Sequence, residues 1–374
     1  MALDRPLSIV HVMRSPVGGL FRHVVDLAGE QAARGHRVGI VADSTTGGDR
    51  AEAIFAGLAP LLALGLTRVP MARELGPSDW SAGRAVAEVL ARHQVDVVHG
   101  HGSKGGAFAR LVGGGRVKAY TPHGGSLHYS RGTPVGFVYL TLEQVLAART
   151  DLFLFESRYG LGAFETKVCK PKGLVRVVHN GVSAGEFAPV PLRDDATDLL
   201  FVGELRQLKG VDLLIDALAL LKARGRSLTA TLVGDGPDAA AFRQRVIDKD
   251  LSASVSFAGV LPAREAFARG RILIAPSRAE SLPYIILEAA AAGVPLVTTA
   301  VGGIAEIFGP DARALVAPGS DWALAEAIAR ALDERDETAA LAARLRERVE
   351  AQFSVRAMTD GVLTAYADAL AARA

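Results

Sequence analysis

Residues 272–299 read ILIAPSRAESLPYIILEAAAAGVPLVTT and place two short apolar runs on either side of a longer alanine- and leucine-rich run. The outer runs, Ile272–Ala275 and Leu296–Thr299, have the length and aliphatic content of buried strands, and the run between them has helical character. Alternation of strand and helix is typical of a parallel sheet with helices on both faces. The stretch therefore predicts an α/β fold.

The same alternation predicts two sets of strands along the chain. They are Ser8–Val12, Val38–Val41, Val95–His99, Val117–Thr121 and Leu152–Glu156 in the first set, and Asp198–Val202, Thr229–Val233, Val255–Phe257, Ile272–Ala275 and Leu296–Thr299 in the second. Between the sets, Ser183–Thr197 has two prolines and little periodicity, so we predict an interdomain linker there. We expect two Rossmann-like doubly wound domains facing across a cleft, with ligands bound beyond the carboxyl ends of the strands.

Composition excludes several classes of protein. The 374 residues are 49% hydrophobic and 22% charged, as in globular proteins, and a net charge of +2 is too small for a general nucleic-acid-binding role. Cys169 is the single cysteine, which excludes an intrachain disulfide and a cysteine-based zinc cluster and indicates a reducing compartment. The chain starts without signal-peptide features and has no apolar run of ~18–20 residues, so we expect a cytoplasmic protein.

A glycine pattern in the first half, Gly100-x-Gly102-x-x-Gly105, follows a predicted strand in the manner of a dinucleotide-binding fingerprint. That fingerprint also needs an acidic residue about 20 positions further on. No Asp or Glu occurs between Asp96 and Glu143. We therefore favour a plain glycine-rich turn over nicotinamide binding.

The same acid-free stretch, Val97–Leu142, is locally basic. Its charged side chains are Lys104, Arg110, Arg116, Lys118 and Arg131, and it also holds His99, His101, His123 and His128. Two interpretations stay open: the stretch attracts a phosphorylated substrate or the inner membrane surface as a peripheral contact, or it is an ordinary solvated face.

His99 and His101 alternate at the end of a predicted strand, which puts both rings on one face, as a metal pair would need. Neither a cysteine nor a carboxylate lies nearby in the sequence to complete a site. We therefore predict no metal, and favour a cleft-lining or packing role for the pair.

Several loops have the composition of an anion and sugar site. The glycines at 18–19 and 234–236 allow backbone amides to approach a phosphate, and Arg206 and Lys209 could hold an anionic leaving group. Glu280, in a loop, and Glu288, about one turn into the next helix, could accept hydrogen bonds from sugar hydroxyls. The alternative for these two is a surface glutamate and a first-turn glutamate favoured by the helix dipole.

Taken in order, these motifs resemble those of the retaining GT-B glycosyltransferases of family GT4, with wording most similar to bacterial enzymes of exopolysaccharide assembly. The motifs are Gly18-Gly19, His123 in TPHGGS, Asn180-Gly181-Val182, Gly203 to Gly210, Gly234 to Pro237, and Glu280-x7-Glu288 followed by Gly302-Gly303. The resemblance implies transfer of a sugar, with retained configuration and without a metal or other cofactor, from a nucleoside-diphosphate sugar to a carbohydrate. The acceptor implied is lipid-linked or a growing polysaccharide. Two alternatives stay open: an epimerase or phosphorylase of nucleotide sugars on the same fold, and a non-catalytic GT-B scaffold.

The resemblance also implies roles for individual residues. The catalytic residues implied are His123, Arg206, Lys209 and Glu280, and the donor-binding residues are Gly18, Gly19, Gly203, Arg206, Lys209, Gly234, Glu280, Ser281, Leu282 and Glu288. Lys209 would contact the diphosphate, Glu280 the sugar and Glu288 the ribose. Glu204 stands where the family often has an arginine, and we expect Arg206 to supply that charge.

The resemblance further implies the domain limits. We expect an acceptor-side domain at 1–185, a donor-binding domain at 186–352, and a C-terminal helix at 353–374 that packs back on the first domain. Met358, Leu363, Tyr366 and Leu370 would lie on one face of that helix.

Overall fold

The computed structural model describes residues 5–373, apart from the side chains of Ser126 and His128. Contacts within the chain divide it into two compact units. The first comprises Met1–Gly181 together with Val355–Ala374, and the second comprises Val182–Ser354.

The first unit is a seven-stranded sheet in which every neighbouring pair is parallel, with the order β3-β2-β1-β4-β5-β6-β7. Its strands are β1 Ser8–Met13, β2 Arg37–Asp43, β3 Gly65–Val69, β4 Val97–His101, β5 Val117–Thr121, β6 Leu152–Phe155 and β7 Leu174–Val177. Its connecting helices are α1 Gly18–Ala33, α2 Gly48–Leu58, α3 Ser78–Arg92, α4 Gly102–Leu111, α5 Pro134–Ala147 and α6 Arg158–Lys167.

The second unit is a five-stranded parallel sheet with the order β10-β9-β8-β11-β12. Its strands are β8 Thr197–Val202, β9 Ala230–Val233, β10 Val255–Gly259, β11 Gly270–Ala275 and β12 Leu296–Thr298. Its helices are α7 Val211–Ala223, α8 Ala239–Asp248, α9 Ala263–Phe267, α10 Tyr284–Ala291, α11 Ile304–Phe308, α12 Asp321–Asp333 and α13 Arg335–Gln352. The α/β fold class with two Rossmann-like parallel sheets is therefore confirmed.

All ten predicted strands are present, but two others were missed. These are β3 and β7, which form the two edges of the first sheet. Most of their residues are partly exposed, whereas β1 and β4 are buried along their whole length. An edge strand needs no continuous apolar run, so the pattern that identified the central strands is absent there.

The last helix, α14 Val355–Ala371, belongs to the first unit. Met358, Leu363 and Tyr366 are buried in one hydrophobic cluster with residues of β1, β4, β5 and β6, and Leu370 packs against the same cluster. Helix α14 thus covers one face of the first sheet.

Strand order reverses between β1 and β4 in the first sheet and between β8 and β11 in the second. Such switch points open a crevice at the carboxyl ends of the strands, where α/β proteins bind ligands. The glycine at 105 has a packing role near the first of these points, because a Cβ there would lie 2.3 Å from the Val12 carbonyl oxygen. Of the helices that the structure describes, none combines the length and the apolar character that crossing a bilayer would require.

Candidate active site

In the second unit, two loops meet at the switch point of the sheet. The first, after β8, contains a 3-10 helix, Gln207–Lys209, and ends at Gly210, and the second follows β11. Gly210 has φ +72°, and a Cβ on it would lie 2.0 Å from the carbonyl oxygen of Pro276. Only glycine permits this close approach, so it sets the distance between the loops.

The approach of the loops forms an ion pair. Lys209 Nζ donates to Glu280 Oε1 at 2.7 Å, and the hydroxyl of Ser277 donates to the same oxygen at 2.7 Å. The Lys209 side chain is 28% exposed, and the Glu280 side chain is 11% exposed. A partly buried pair of this kind offers a cation for a phosphate and a carboxylate for hydroxyl groups, side by side.

A residue that the sequence did not single out, Arg278, joins the two loops. Its guanidinium donates to both oxygens of Asp212, at 2.7 and 2.6 Å, and to the carbonyl of Gln207 at 2.6 Å. Its amide donates to the carbonyl of Leu208 at 2.8 Å. Burial alone would raise the pKa of Asp212, but hydrogen bonds from Arg278 outweigh it and lower that pKa. An arginine two positions before Glu280 was the available sequence signal.

Arg206 lies in the same loop but is differently engaged. Its guanidinium is 3.9 Å from the Glu204 carboxylate, and its side chain is 55% exposed. Glu204 therefore offsets part of the charge that we expected Arg206 to supply.

The other predicted donor-binding residues of this unit lie around the loops. The Gly203 amide donates to the Val233 carbonyl at 3.0 Å, and a Cβ on Gly234 would lie 1.9 Å from the Gly203 oxygen. The Leu282 side chain is buried in the core, whereas Ser281 and Glu288 are half-buried, Glu288 in the second turn of α10.

In the first unit, the predicted glycines Gly18 and Gly19 are the first two residues of α1. His123 follows β5 with φ +52°, a left-handed conformation that is uncommon outside glycine. Its Nδ1 lies 2.8 Å from the Glu156 carboxylate. Burial would raise the pKa of Glu156, but the charge and hydrogen bond of His123 outweigh it and lower that pKa, so the carboxylate is ionised near neutral pH.

His123 is one end of a line of imidazoles. His123 Nε2 is 3.0 Å from His101 Nδ1, and His101 Nε2 is 3.0 Å from His11 Nδ1. His11 Nε2 is 2.8 Å from Gln31 Oε1. Because burial removes hydration from the charged form, it lowers the pKa of His11 to about 4 and that of His101 well below the usual value.

Two further histidines flank this line. His23 Nδ1 is 2.9 Å from Asn180 Oδ1, and His99 bonds the hydroxyls of Tyr366 and Thr121, both at 2.8 Å. Burial lowers the pKa of His23 to about 3 and that of His99 well below the usual value.

The sequence offers no cysteine or carboxylate beside His99 and His101, but the structure brings other histidines to this pair. His11 forms one compact group with that pair, and His23 and His123 form another with His101. The reason is the parallel register, which sets His11 opposite His99 and Met13 opposite His101 on neighbouring strands. No spacing along the chain reveals this neighbourhood, because 90 residues separate His11 from His101.

A cavity of about 710 Å³ adjoins this group in the first unit. Its lining includes Arg14, His101, Lys104, His123, Tyr129 and Tyr139. Tyr129 and Tyr139 stack with ring centroids 5.2 Å apart and an angle of 7° between the planes. The exposed part of such an aromatic pair offers an apolar surface with polar hydroxyl ends.

The acid-free stretch does not form one open basic face. Lys104 is buried and pairs with Asp79 at 2.5 Å, while Arg110 is fully buried and pairs with Glu143 at 2.8 Å. Both carboxylates lie outside the stretch, so the tertiary structure neutralises charges that the local sequence leaves unbalanced.

Comparison with solved structures identifies the type of fold. The chain superimposes on the Anabaena protein HepE, crystallised with UDP, with a TM-score of 0.77 at 19% identity over 97% of this chain and 100% of that one. Sucrose-phosphate synthase from Thermosynechococcus elongatus gives a TM-score of 0.81 at 21% identity over 98% of this chain and 100% of that one. The fold is that of the GT-B proteins.

Sequence comparisons identify the family. Residues 17–186 match the model described as glycosyltransferase family 4, and residues 196–334 match that described as glycosyl transferases group 1. A GDP-mannose-dependent mannosyltransferase of Mycobacterium tuberculosis that acts on phosphatidylinositol monomannoside is 30% identical over 66% of this chain and 68% of its own length. The Escherichia coli protein WcaL, assigned to colanic acid biosynthesis, is 30% identical over 56% of this chain. The match spans about half of the length of WcaL, 55%. The chain belongs to glycosyltransferase family 4, group 1.

Proposed function

We propose that this protein transfers a sugar from a nucleoside-diphosphate sugar to a hydroxyl of a lipid-linked or growing polysaccharide acceptor, with retention of configuration and without a metal at the donor. The observation that carries the proposal is the Lys209–Glu280 pair, at 2.7 Å, on the loops at the switch point of the second sheet. Two of the superimposed structures, of HepE, contain UDP and UDP-glucose.

In this mechanism Lys209 contacts the donor diphosphate and stabilises the negative charge that develops as the nucleoside diphosphate departs. Glu280 accepts hydrogen bonds from the donor sugar. Arg278 is a positioning residue, since it holds the backbone before Lys209 against the loop of Glu280. We propose for Arg206, Glu288, the glycines at 18, 19, 203 and 234, and the backbone of 281–282 the donor contacts that the family resemblance implies.

In this proposal, protein cations stabilise the nucleoside diphosphate as it leaves. Within the loops after β8 and β11, Lys209 and Arg206 supply positive charge, and the one carboxylate at the pair, Glu280, is already occupied by Lys209 and Ser277. A retained configuration is proposed through front-face substitution, in which the leaving phosphate takes the proton of the acceptor hydroxyl. His123 would then contribute through its backbone near the reacting sugar.

The acceptor is assigned to the cavity of the first unit. The stacked Tyr129–Tyr139 pair can support a sugar ring, and Arg14 supplies a cation. Val135 and Val138 line the same cavity and are 53% and 51% exposed on α5. An apolar border of this kind supports a lipid-linked acceptor and a peripheral contact with the inner membrane surface.

The test measures nucleoside-diphosphate release with a panel of UDP-, GDP- and ADP-sugars, with and without undecaprenyl-diphosphate-linked oligosaccharide. Release that needs both substrates, persists with EDTA and gives a product of retained configuration by NMR is the expected result. An altered free sugar nucleotide would instead indicate an epimerase, a sugar phosphate a phosphorylase, and donor binding without turnover a scaffold.

Matched variants test whether Lys209 and Glu280 are needed for sugar transfer. Lys209→Gln and Glu280→Gln should each reduce turnover at least ~100-fold, in the range found when one oxyanion-stabilising group is removed. Lys222→Gln is the control, because Lys222 and Asp250 form a similar pair at 2.8 Å on the surface of the same unit. Full activity of Glu280→Gln, or equal loss in the control, would contradict the assignment.

A further inference from the structure

One nitrogen of the histidine group has no partner. His23 is fully buried, and its Nε2 makes no hydrogen bond to any residue that the structure describes. Asn180 donates from its amide nitrogen to Glu156, so its Oδ1 faces His23 Nδ1 as an acceptor. His23 Nδ1 therefore carries the proton, and Nε2 of the neutral ring is a bare lone pair.

The same reasoning fixes the other rings. The Glu156 carboxylate accepts from His123 Nδ1, so Nε2 of a neutral His123 is bare. Gln31 Oε1 accepts from His11 Nε2, which leaves His11 Nδ1 to accept from His101 Nε2 and leaves His101 Nδ1 bare.

One ring nitrogen of each of His23, His101 and His123 lies within 4.8 Å of the other two. The bare nitrogens of these rings are His23 Nε2, His101 Nδ1 and His123 Nε2. The last two are only 3.0 Å apart, so two lone pairs face each other at hydrogen-bond distance. Four hydrogen bonds link Gln31 to Glu156 through the rings of His11, His101 and His123 and require four protons, whereas three neutral rings carry three. One cation, either an extra proton on a ring or a metal ion, completes this group.

We infer that His23, His101 and His123 form a binding site for a divalent transition-metal ion of the zinc class. Three imidazoles are the ligand set that zinc takes in open sites, and nickel, cobalt and copper also favour imidazole. The nitrogen of each ligand that faces away from the ion is already oriented, by Asn180, His11 and Glu156 respectively, as in established metal sites.

The ring spacing fits such an ion. With Zn–N near ~2.05 Å and tetrahedral angles, the ring centroids of two histidine ligands are about 5.2 Å apart. The centroids here are 4.8 Å apart for His23–His123, 5.3 Å for His101–His123 and 5.6 Å for His23–His101. His101 and His123 also line the cavity, so a water there could take the fourth position.

The neighbouring group, His11, His99 and His101, does not fit. Both nitrogens of His99 are bonded, to Tyr366 and Thr121, and both nitrogens of His11 are bonded, to Gln31 and His101. The rings of His99 and His101 are also only 3.9 Å apart, well short of the tetrahedral spacing. The inferred site is thus specific to the group that contains His23, and it revises our expectation of no metal.

The experiment uses the untagged full chain, stripped with dipicolinate and then titrated with Zn²⁺ by calorimetry and with Co²⁺ by visible absorption, without donor or acceptor. We expect one ion per chain, a tetrahedral Co²⁺ spectrum, and an anomalous zinc peak between the three rings in crystals. His23→Gln should weaken binding at least ~100-fold, and Asn180→Ala, which frees the His23 ring, about 10- to 100-fold. His93→Gln removes an imidazole outside the group and should leave affinity unchanged.

Two results would overturn the inference. One is a stripped wild-type protein that takes up no ion, in which ¹⁵N NMR of the imidazoles finds a protonated ring at this position. The other is equal affinity in wild type and His23→Gln. The first of these results comes from the wild-type protein alone. The inference can therefore be tested even if the His23→Gln variant fails to fold. The site does not depend on the proposed transfer, since the measurement involves neither Lys209 nor Glu280.

Discussion

Acidification should destabilise the first unit through its buried histidines. His11 and His23 have pKa values of about 4 and about 3 in the folded protein, against 6.5 for the free side chain, because burial disfavours their charged form. The unfolded chain therefore binds more protons than the folded one at pH values between these limits. The free energy of unfolding must fall as the pH falls through that window.

The magnitude follows from the two pKa values. Between about pH 7 and about pH 5.5, each ring gains protonation in the unfolded state alone, which costs about 1.2 kcal/mol per ring, or roughly 2.5 kcal/mol for both. His99 and His101 shift in the same direction, so the whole group should lose more than this. A loss of this size is a large fraction of the stability of a typical domain.

Amide hydrogen exchange, read by mass spectrometry with a chelator present and corrected for the intrinsic rate, measures the loss in each unit separately. Peptides from β1 and β4 should show a fall in opening free energy of at least ~2 kcal/mol over this pH range. All nine histidines precede residue 182, so peptides from β8 and β11 provide an internal control without such a term. A change below about 1 kcal/mol in β1 and β4, or an equal change in both units, would refute the reasoning.

Three further substitutions test particular contacts. Tyr366→Phe deprives buried His99 of a hydrogen-bond partner and should lower the free energy of unfolding by about 1–3 kcal/mol in urea titrations; unchanged stability would contradict that bond. Gly302→Ala places a Cβ 2.1 Å from the Glu280 carbonyl oxygen and should weaken nucleotide-sugar binding at least ~10-fold by calorimetry, with the circular dichroism spectrum retained. Arg278→Ala should reduce turnover about 10- to 100-fold, and Arg278→Lys should restore only part of it, because lysine cannot make the bidentate contact; equal activity of both with wild type would exclude the positioning role.

The sequence alone predicted the parallel architecture, because a buried strand and the helix that follows it are each encoded over a short span. It also identified the loops of Lys209 and Glu280, since residues at the carboxyl ends of strands of one sheet converge whatever the details of packing. The edge strands β3 and β7 were missed because partial exposure removes the apolar run on which the prediction depends. The positioning role of Arg278 was missed because its partner Asp212 lies 66 residues earlier.

The histidine group was decided by tertiary structure. His11, His23, His101 and His123 come from β1, α1, β4 and the loop after β5, and only the strand order and register bring their rings together. Glu156, which directly follows β6, then accepts a hydrogen bond from His123 Nδ1 and so fixes that proton. Local sequence records the residue types and their periodicity. It cannot record which distant side chains share a buried volume. In that volume, loss of hydration and the hydrogen-bond partners of each ring determine which imidazole nitrogens are protonated.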